Sequence, residues 1–388
     1  MKNMVNKYGN PDAVIFSDTL DSYNLIWGFD DIFKINDNDL SDQNILNEFQ
    51  NKIDSWKDNS NDITAVGYFS YDAKQLFYPH VNFKTPESSL PIAWFGKPKI
   101  AKVVSRNEFH DFYSTSCSIE KNIDLMHQEE YNEKINLIKS YLRAGDVYQI
   151  NFTQPIKYKI GYSSPLDLFA NLSKFSEPNF GMYLDINSSQ ILSLSPENFF
   201  TRKNNMISSS PIKGTRTRSD NISEDQKLID ELQKSEKDKA EHIMIVDLIR
   251  NDLGKICKFG SVETNNLFKV HSFKTIHHMI TDVTGRLKDN ISEIDVFQAL
   301  FPGGSVTGAP KQRSLEIIDQ IEEYSRGVYT GSMGFISNTG DMNFNIAIRT
   351  LTLNKDEGIY PVGGGIVWDS IAKDEREEAI YKSRVLAI

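Results

Sequence analysis

Two runs near the C-terminus, GVYTGSMGFIS (327–337) and MNFNIAIRTLTL (342–353), are rich in β-branched and aromatic residues, and a short turn containing Asn338 and Gly340 separates them. This pattern predicts a β-hairpin over 327–353. Other strand-like runs are VGYFSYD (66–72), PIAWFG (91–96), FGMYLDI (180–186), QILSLS (190–195) and MISSS (206–210). Helical patterns interleave with them. Hairpin-connected strands with helices between them favour a mixed, largely antiparallel architecture over a doubly wound parallel one.

The helical patterns are well punctuated. Tyr131, Ile135, Ile138 and Leu142 recur at steps of 4, 3 and 4, one apolar face, and Gly145 follows as a stop. A long charged helical region is expected over 223–253. Ser292 and Asp295 form a capping-box pattern before Val296, Ala299 and Leu300, and Pro302-Gly303-Gly304 breaks that helix. Pro310 suits the first turn of the next, whose face is Leu315, Ile318 and Glu322. A final helix is expected from about Lys373 to Ala387. In VYQINFT (147–153) the alternation sends Tyr148, Ile150 and Phe152 one way and Val147, Gln149, Asn151 and Thr153 the other. The second face is polar enough to line a cavity.

Of the 388 residues, 43 are Lys or Arg and 53 are Asp or Glu, a net charge of −10 that argues against a nucleic-acid binder. No apolar run approaches the roughly 18 residues of a membrane span. The N-terminal MKNMVNKYGNPDAVIF lacks the apolar stretch of a signal peptide. A cytoplasmic protein without membrane contact is expected. Cys117 and Cys257 form neither CxxC nor a Cys/His cluster, so reduced thiols are the simpler reading, one long-range disulfide the other. A soft boundary near residue 122 separates a β-rich part, 1–122, from the sharper pattern of 123–388.

Several segments carry candidate chemistry, each beside a plainer reading. GGSVTGAPK (303–311) is no Walker loop, because Ala309 and Pro310 intervene before Lys311. It is either an ordinary turn or an anion site at a helix N-terminus. AEHIMIVDLIRNDLG (240–254) sets Glu241 on a helical face with Met244, Ile245 and Leu248. Such a carboxylate is either a core-edge residue or an inward ligand for a hard cation. In the last helix Glu375 and Glu378 are neighbours, with Lys382 one turn on. Alone this is a solvated face; with Glu241 it would suit Mg²⁺, which takes one or two carboxylates. Glu197, after a strand and Pro196, can serve as a general acid if desolvated. Lys213 lies in a stiff Pro-Ile-Lys-Gly segment beside Arg216 and Arg218, which would lower its pKa and make it a nucleophile; a basic loop is the alternative. His277 and His278 face opposite ways on a strand, so one can be core and the other can face a site.

Taken together, the segments resemble the chorismate-utilising enzymes: anthranilate, aminodeoxychorismate, isochorismate and salicylate synthases. The matching runs are GDVYQINFT (145–153), LSPENFF (194–200), PIKGTRTR (211–218), AEHIMIVDLIRNDLG, HHMITDVTGRL (277–287), FPGGSVTGAPK, the GVYTGSMGF and IAIRT hairpin, and GGGIVWDS…EEAIYKSR, in family order over about 145–384. Two positions point to a subfamily. Gln149 stands where isochorismate and salicylate synthases resemble each other in carrying a lysine base. Lys213 stands where anthranilate synthases usually have alanine. PIKGT is similar to aminodeoxychorismate synthase component I, with anthranilate synthase component I as the alternative.

The resemblance implies two mainly antiparallel sheets packed as a sandwich, helices outside (an α+β fold), a shortened N-terminal part over 1–122 and a chorismate-binding catalytic region over 123–388. It implies that Lys213 attacks ring carbon 2 and Glu197 protonates the departing 4-hydroxyl, while His278 lines the ring. Mg²⁺ would sit between Glu241 and Glu378, with Asp238 and Glu375 behind them through water. Tyr329 and Arg349 would hold the enolpyruvyl carboxylate, and Arg349 is expected on the strand face opposite Ile346 and Ile348. Gln149, Gly214, Thr215, Gly363, Gly364, Gly365 and Lys382 would complete the substrate contacts. Ammonia would come from a glutamine amidotransferase partner, since neither cysteine sits in a Gly-x-Cys-x-Gly elbow. Asp238 replaces a common glutamate and Ala372 a common proline. FSDTLDSYN (16–24) stands where anthranilate synthases have a tryptophan-binding LLES segment, so tryptophan feedback is not expected.

Overall fold

Short apolar runs bounded by turn residues pair here as antiparallel ladders. The computed structural model describes residues 1–17, 21–58, 62–113, 118–121, 126–162, 164–187, 189–274 and 276–386. Among them, seventeen strands join in one hydrogen-bonded network and three more form a small second sheet. Each pairing is antiparallel. The α+β architecture of antiparallel sheets covered by helices is therefore present. The boundary expected near residue 122 and the thiol of Cys117 lie outside the described residues, as do 18–20 of FSDTLDSYN and Ala387. Cys257 is a buried free thiol.

The N-terminal strands are woven into the rest. Ala13–Ser17 pairs with Phe180–Asp185, and Ile63–Phe69 with Ser332–Ser337. Phe69, Phe297 and Phe344 seal the junction, with ring centroids 4.8 Å apart for Phe69–Phe297 and 4.9 Å for Phe297–Phe344. All three are fully buried, each worth roughly 1.5–3 kcal/mol by area.

The helix expected from the Tyr131–Leu142 face forms over Gln128–Ala144, with Tyr131, Ile135 and Ile138 buried and Gly145 closing it at φ 77. Ser292 and Asp295 form the expected capping box at the start of Glu293–Leu300. The region 223–253 is two helices, Ile222–Lys234 and Glu236–Ile256. They part at Ser235, whose hydroxyl accepts from Asp238 N and starts the second. The last helix, Ala372–Lys382, tightens into a 3-10 turn over Ser383–Leu386.

Two expectations need correction. The hairpin pairs only Ser332–Ser337 with Met342–Ile346. The second run then breaks at Ala347–Arg349, where Arg349 has φ 49, and resumes as Thr350–Asn354 against Gln190–Ser195 and Glu357–Ile359. The chain changes partners there, so Arg349 lies in a bend and not on a strand face. In 147–153, the strand starts at Gln149, so the alternation does not hold before it. Val147 joins Ile150 and Phe152 in the core, while Tyr148 is exposed.

The small sheet runs Gly308–Ala309, Gln149–Gln154, Val362–Ile366. It carries Gln149, Asn151 and the three glycines beside the main network.

Candidate functional site

One cavity of about 560 Å³ opens between the small sheet, the strand Ile212–Thr217 and the helices Glu236–Ile256 and Ala372–Lys382. Lys213, Glu197 and His278 line it. So do Gly214, Thr215, Tyr329, Arg349, Gly363, Gly364, Gly365 and Lys382, and the acidic Glu241, Glu378, Asp238 and Glu375. Gln149 lies just behind Gly365: a Cβ there would sit 2.8 Å from Gln149 Nε2 and 3.4 Å from Lys213 Nζ. A larger residue at this place would have to push the Gln149 side chain aside. The Gln149 side chain is fully buried and neither of its polar atoms has a hydrogen-bond partner.

Glu197 sits where Pro196 interrupts two strands. Ser195 Oγ donates to the Ile346 carbonyl at 2.6 Å, and Ile346 N donates to the Glu197 carbonyl at 3.1 Å, which fixes the corner. Ser305 Oγ donates to Glu197 Oε1 at 2.7 Å. Burial pushes the Glu197 carboxyl above its ordinary pKa, while Ser305 and the Lys213 charge pull back. Lys213 stands on a strand with a bulge at Gly214, which has φ 72. Burial lowers its pKa; Glu241 and Glu197 oppose this. An acid whose proton is held more firmly thus faces an amine whose proton is held less firmly.

His278 shares a hydrogen bond of 3.0 Å between Nδ1 and Thr215 Oγ1, while its buried Nε2 has no partner. Burial, and then the Arg349 charge, lower its pKa to about 4, so it is neutral. His277 points the other way, into a buried contact of 2.9 Å with Asp225. Arg349 is partly buried, which disfavours its charge, and no carboxylate among the described residues pairs with it. A partly buried guanidinium at a cavity wall without a counter-ion suits an anionic ligand.

The acidic side chains come from two helices. Glu378 Oε1 is 2.7 Å from Lys382 Nζ, and that charge lowers its pKa. Lys382 Nζ also donates to the Gly363 carbonyl at 2.9 Å. Glu375 accepts from Ser370 Oγ at 2.7 Å, and burial raises its pKa. Burial also raises that of Glu241, whose Oε1 lies 3.9 Å from Lys237 Nζ. Asp238 is held by Arg216 at 3.0 Å. A Cβ at Gly364 would lie 3.5 Å from Glu375 Oε2 and 3.9 Å from Glu378 Oε1, so the bare glycine leaves room beside both. Among the described residues no three metal-ligating side chains converge. Two carboxylates with an open cavity between them fit the modest protein ligand set of Mg²⁺.

Sequence reasoning missed Ser305 and Lys237 in the cavity wall, whereas Asn151, placed by its polar strand face as a cavity residue, does line it. Ser305 lies within the GGSVTGAPK run, whose glycines were its only signal. The Lys311 of that run does not reach a ligand: it is buried, and its Nζ donates to Asp252 Oδ2 and the Leu300 carbonyl, each at 2.6 Å.

A family model for chorismate binding enzymes matches residues 11–387. The chain is 41% identical over 263 residues to aminodeoxychorismate synthase component 1 of Escherichia coli (strain K12), covering 67% of this chain and 58% of that one. It is likewise 41% identical over 263 residues to the chloroplastic aminodeoxychorismate synthase of Arabidopsis thaliana, covering 67% of this chain and 29% of the plant protein. The aligned part thus spans less than two thirds of either relative. Anthranilate synthase component 1 of Saccharolobus solfataricus is 34% identical over 333 residues, covering 83% of this chain and 79% of the relative. The crystal structure of anthranilate synthase component I from Streptococcus pneumoniae shares the fold, with a TM-score of 0.81 at 24% identity over 95% of this chain and 92% of that one.

Proposed function

This chain belongs to the chorismate-binding enzymes, and we propose that it acts as an aminodeoxychorismate synthase component I, converting chorismate and ammonia to 4-amino-4-deoxychorismate. The observation that carries the reading is Lys213, whose lowered pKa suits an amine that must be neutral to attack, in a cavity it shares with the proton-holding Glu197.

Lys213 Nζ forms a bond to ring carbon 2 as the 4-hydroxyl leaves carbon 4, taking a proton from Glu197 and departing as water. Ammonia then bonds to carbon 4, and the carbon 2–nitrogen bond breaks to return the lysine amine. Arg349 and Tyr329 hold the enolpyruvyl carboxylate. Gly214, Thr215 and the glycines 363–365 let the ring approach the backbone. Lys382 contacts the substrate, Gln149 supports Gly365 from behind, and neutral His278 lines the ring. Glu241 and Glu378 would hold Mg²⁺, with Asp238 and Glu375 behind them through water. Bound there, the ion would supply positive charge to offset the ring carboxylate.

The ammonia comes from a glutamine amidotransferase subunit, and the setting is the cytoplasm; no helix among the described residues is long and apolar enough to cross a membrane. The product serves para-aminobenzoate and folate synthesis. Anthranilate synthase is the second reading, favoured by the longer alignment to the Saccharolobus solfataricus protein. Incubation with chorismate, Mg²⁺ and ammonium at high pH, with mass and fluorescence identification of the product, separates the two. A 4-amino product supports the first; fluorescent anthranilate overturns it.

A further inference from the structure

Behind the cavity lies a buried cation that the catalytic scheme does not use. Arg326 is 3% exposed. Its Nη2 donates to the Asn151 carbonyl at 2.7 Å, and its Nη1 to the Val306 carbonyl at 2.9 Å and Thr330 Oγ1 at 3.2 Å. Glu322 accepts from Nε and Nη2, both at 2.7 Å. Glu322 Oε1 also accepts from Thr153 N at 2.8 Å and Thr153 Oγ1 at 2.9 Å. One guanidinium therefore ties three separate segments. The first is the strand bearing Asn151. The second is the loop bearing Ser305, which bonds Glu197. The third is the turn bearing Tyr329.

We propose that Arg326 is a positioning residue: its planar fork, locked by Glu322, sets Asn151, Ser305 and Tyr329 in register around the reacting ring. Lysine cannot replace it, because a single ammonium cannot span carbonyls on two segments and a bidentate carboxylate at once. The proposal rests on the chorismate chemistry above only through the reaction assayed. Its readout is chorismate consumption relative to wild type, whatever the product, so a wrong product assignment shows separately in the wild-type product mass.

Three variants test it. Arg326→Lys keeps the charge. Glu322→Gln with Arg326→Gln removes both buried charges together, so no unpaired ion is left to unfold the protein. Arg326→Ala leaves a guanidinium-sized gap beside a second cavity of about 430 Å³, lined by Tyr71, Glu322 and Tyr324, through which added guanidinium can reach it. The expected result is a native circular dichroism spectrum for the first two variants, with kcat down at least tenfold and the Mg²⁺ dependence unchanged, because the acidic helices are not tied to Arg326. Millimolar guanidinium, but not methylammonium, restores Arg326→Ala at least fivefold. A folded Lys or double-Gln variant with kcat within twofold of wild type overturns the proposal. So does loss of fold in both, or an Arg326→Ala enzyme that guanidinium does not restore.

Discussion

Ser305 Oγ donates to Glu197 Oε1 at 2.7 Å, joining residues 108 positions apart in the chain. The bond stabilises the ionised carboxylate against a burial that favours the protonated acid. If Glu197 must carry a proton and Lys213 must have lost one, activity against pH is a bell whose maximum lies midway between two apparent pKa values. Ser305→Ala removes a contact that lowers the Glu197 pKa, so the maximum moves to higher pH. The lost orientation also lowers kcat at that optimum about tenfold. A pH–rate profile of the variant checks both; a downward shift contradicts the assignment.

Glu241→Gln replaces a charged oxygen ligand with a neutral amide that binds a hard cation poorly. Activity falls to a small residue, and calorimetric titration shows Mg²⁺ binding weakened at least tenfold. Full activity of this variant in EDTA would count against a metal role for Glu241.

Arg349→Lys keeps a positive charge at the bend but loses the planar fork. The KM for chorismate rises about tenfold, equivalent to about 1.4 kcal/mol. Steady-state kinetics at saturating Mg²⁺ give the value, and an unchanged KM would remove Arg349 from the carboxylate site.

Lys311 and Asp252 form a buried pair at 2.6 Å that links the 236–256 helix to the glycine-rich loop. Lys311→Met leaves Asp252 with only the exposed Lys255 at 2.7 Å, at a cost of about 2 kcal/mol. The melting temperature falls by several degrees, and Asp252→Asn in the same chain recovers most of it. A single variant as stable as wild type would show that the pair contributes nothing.

Much of this was legible because its signals are local. Periodicity, a capping box and Gly145 set the helices, and turn residues bounded the strands. Gathering Lys213, Glu197 and the acidic helices into one site rested on the family resemblance, since residues so far apart carry no periodic signal of their meeting. What escaped depends on long-range geometry. The break at Arg349 follows from a change of strand partners, to which the β-prone run 342–353 is blind. Ser305 and Arg326 act through atoms that meet only when the small sheet, the loop and the turn are folded together. The buried pairing of Lys311 with Asp252 has no signal in sequence either, because 59 positions separate them.

Each step proposed for the 4-amino chemistry depends on Lys213 as a covalent nucleophile. A free lysine, with a pKa of about 10.4, is neutral at pH 7 in only about one molecule in a few thousand; burial raises that fraction here. Lys213→Arg cannot substitute, because a guanidinium keeps its proton. The direct measurement is the intact-protein mass after incubation with chorismate and Mg²⁺ without ammonia. The predicted result is an adduct of chorismate minus water, mapped to Lys213 by peptide analysis and absent from Lys213→Ala. A Lys213→Ala enzyme that forms 4-amino-4-deoxychorismate at the wild-type rate would contradict it.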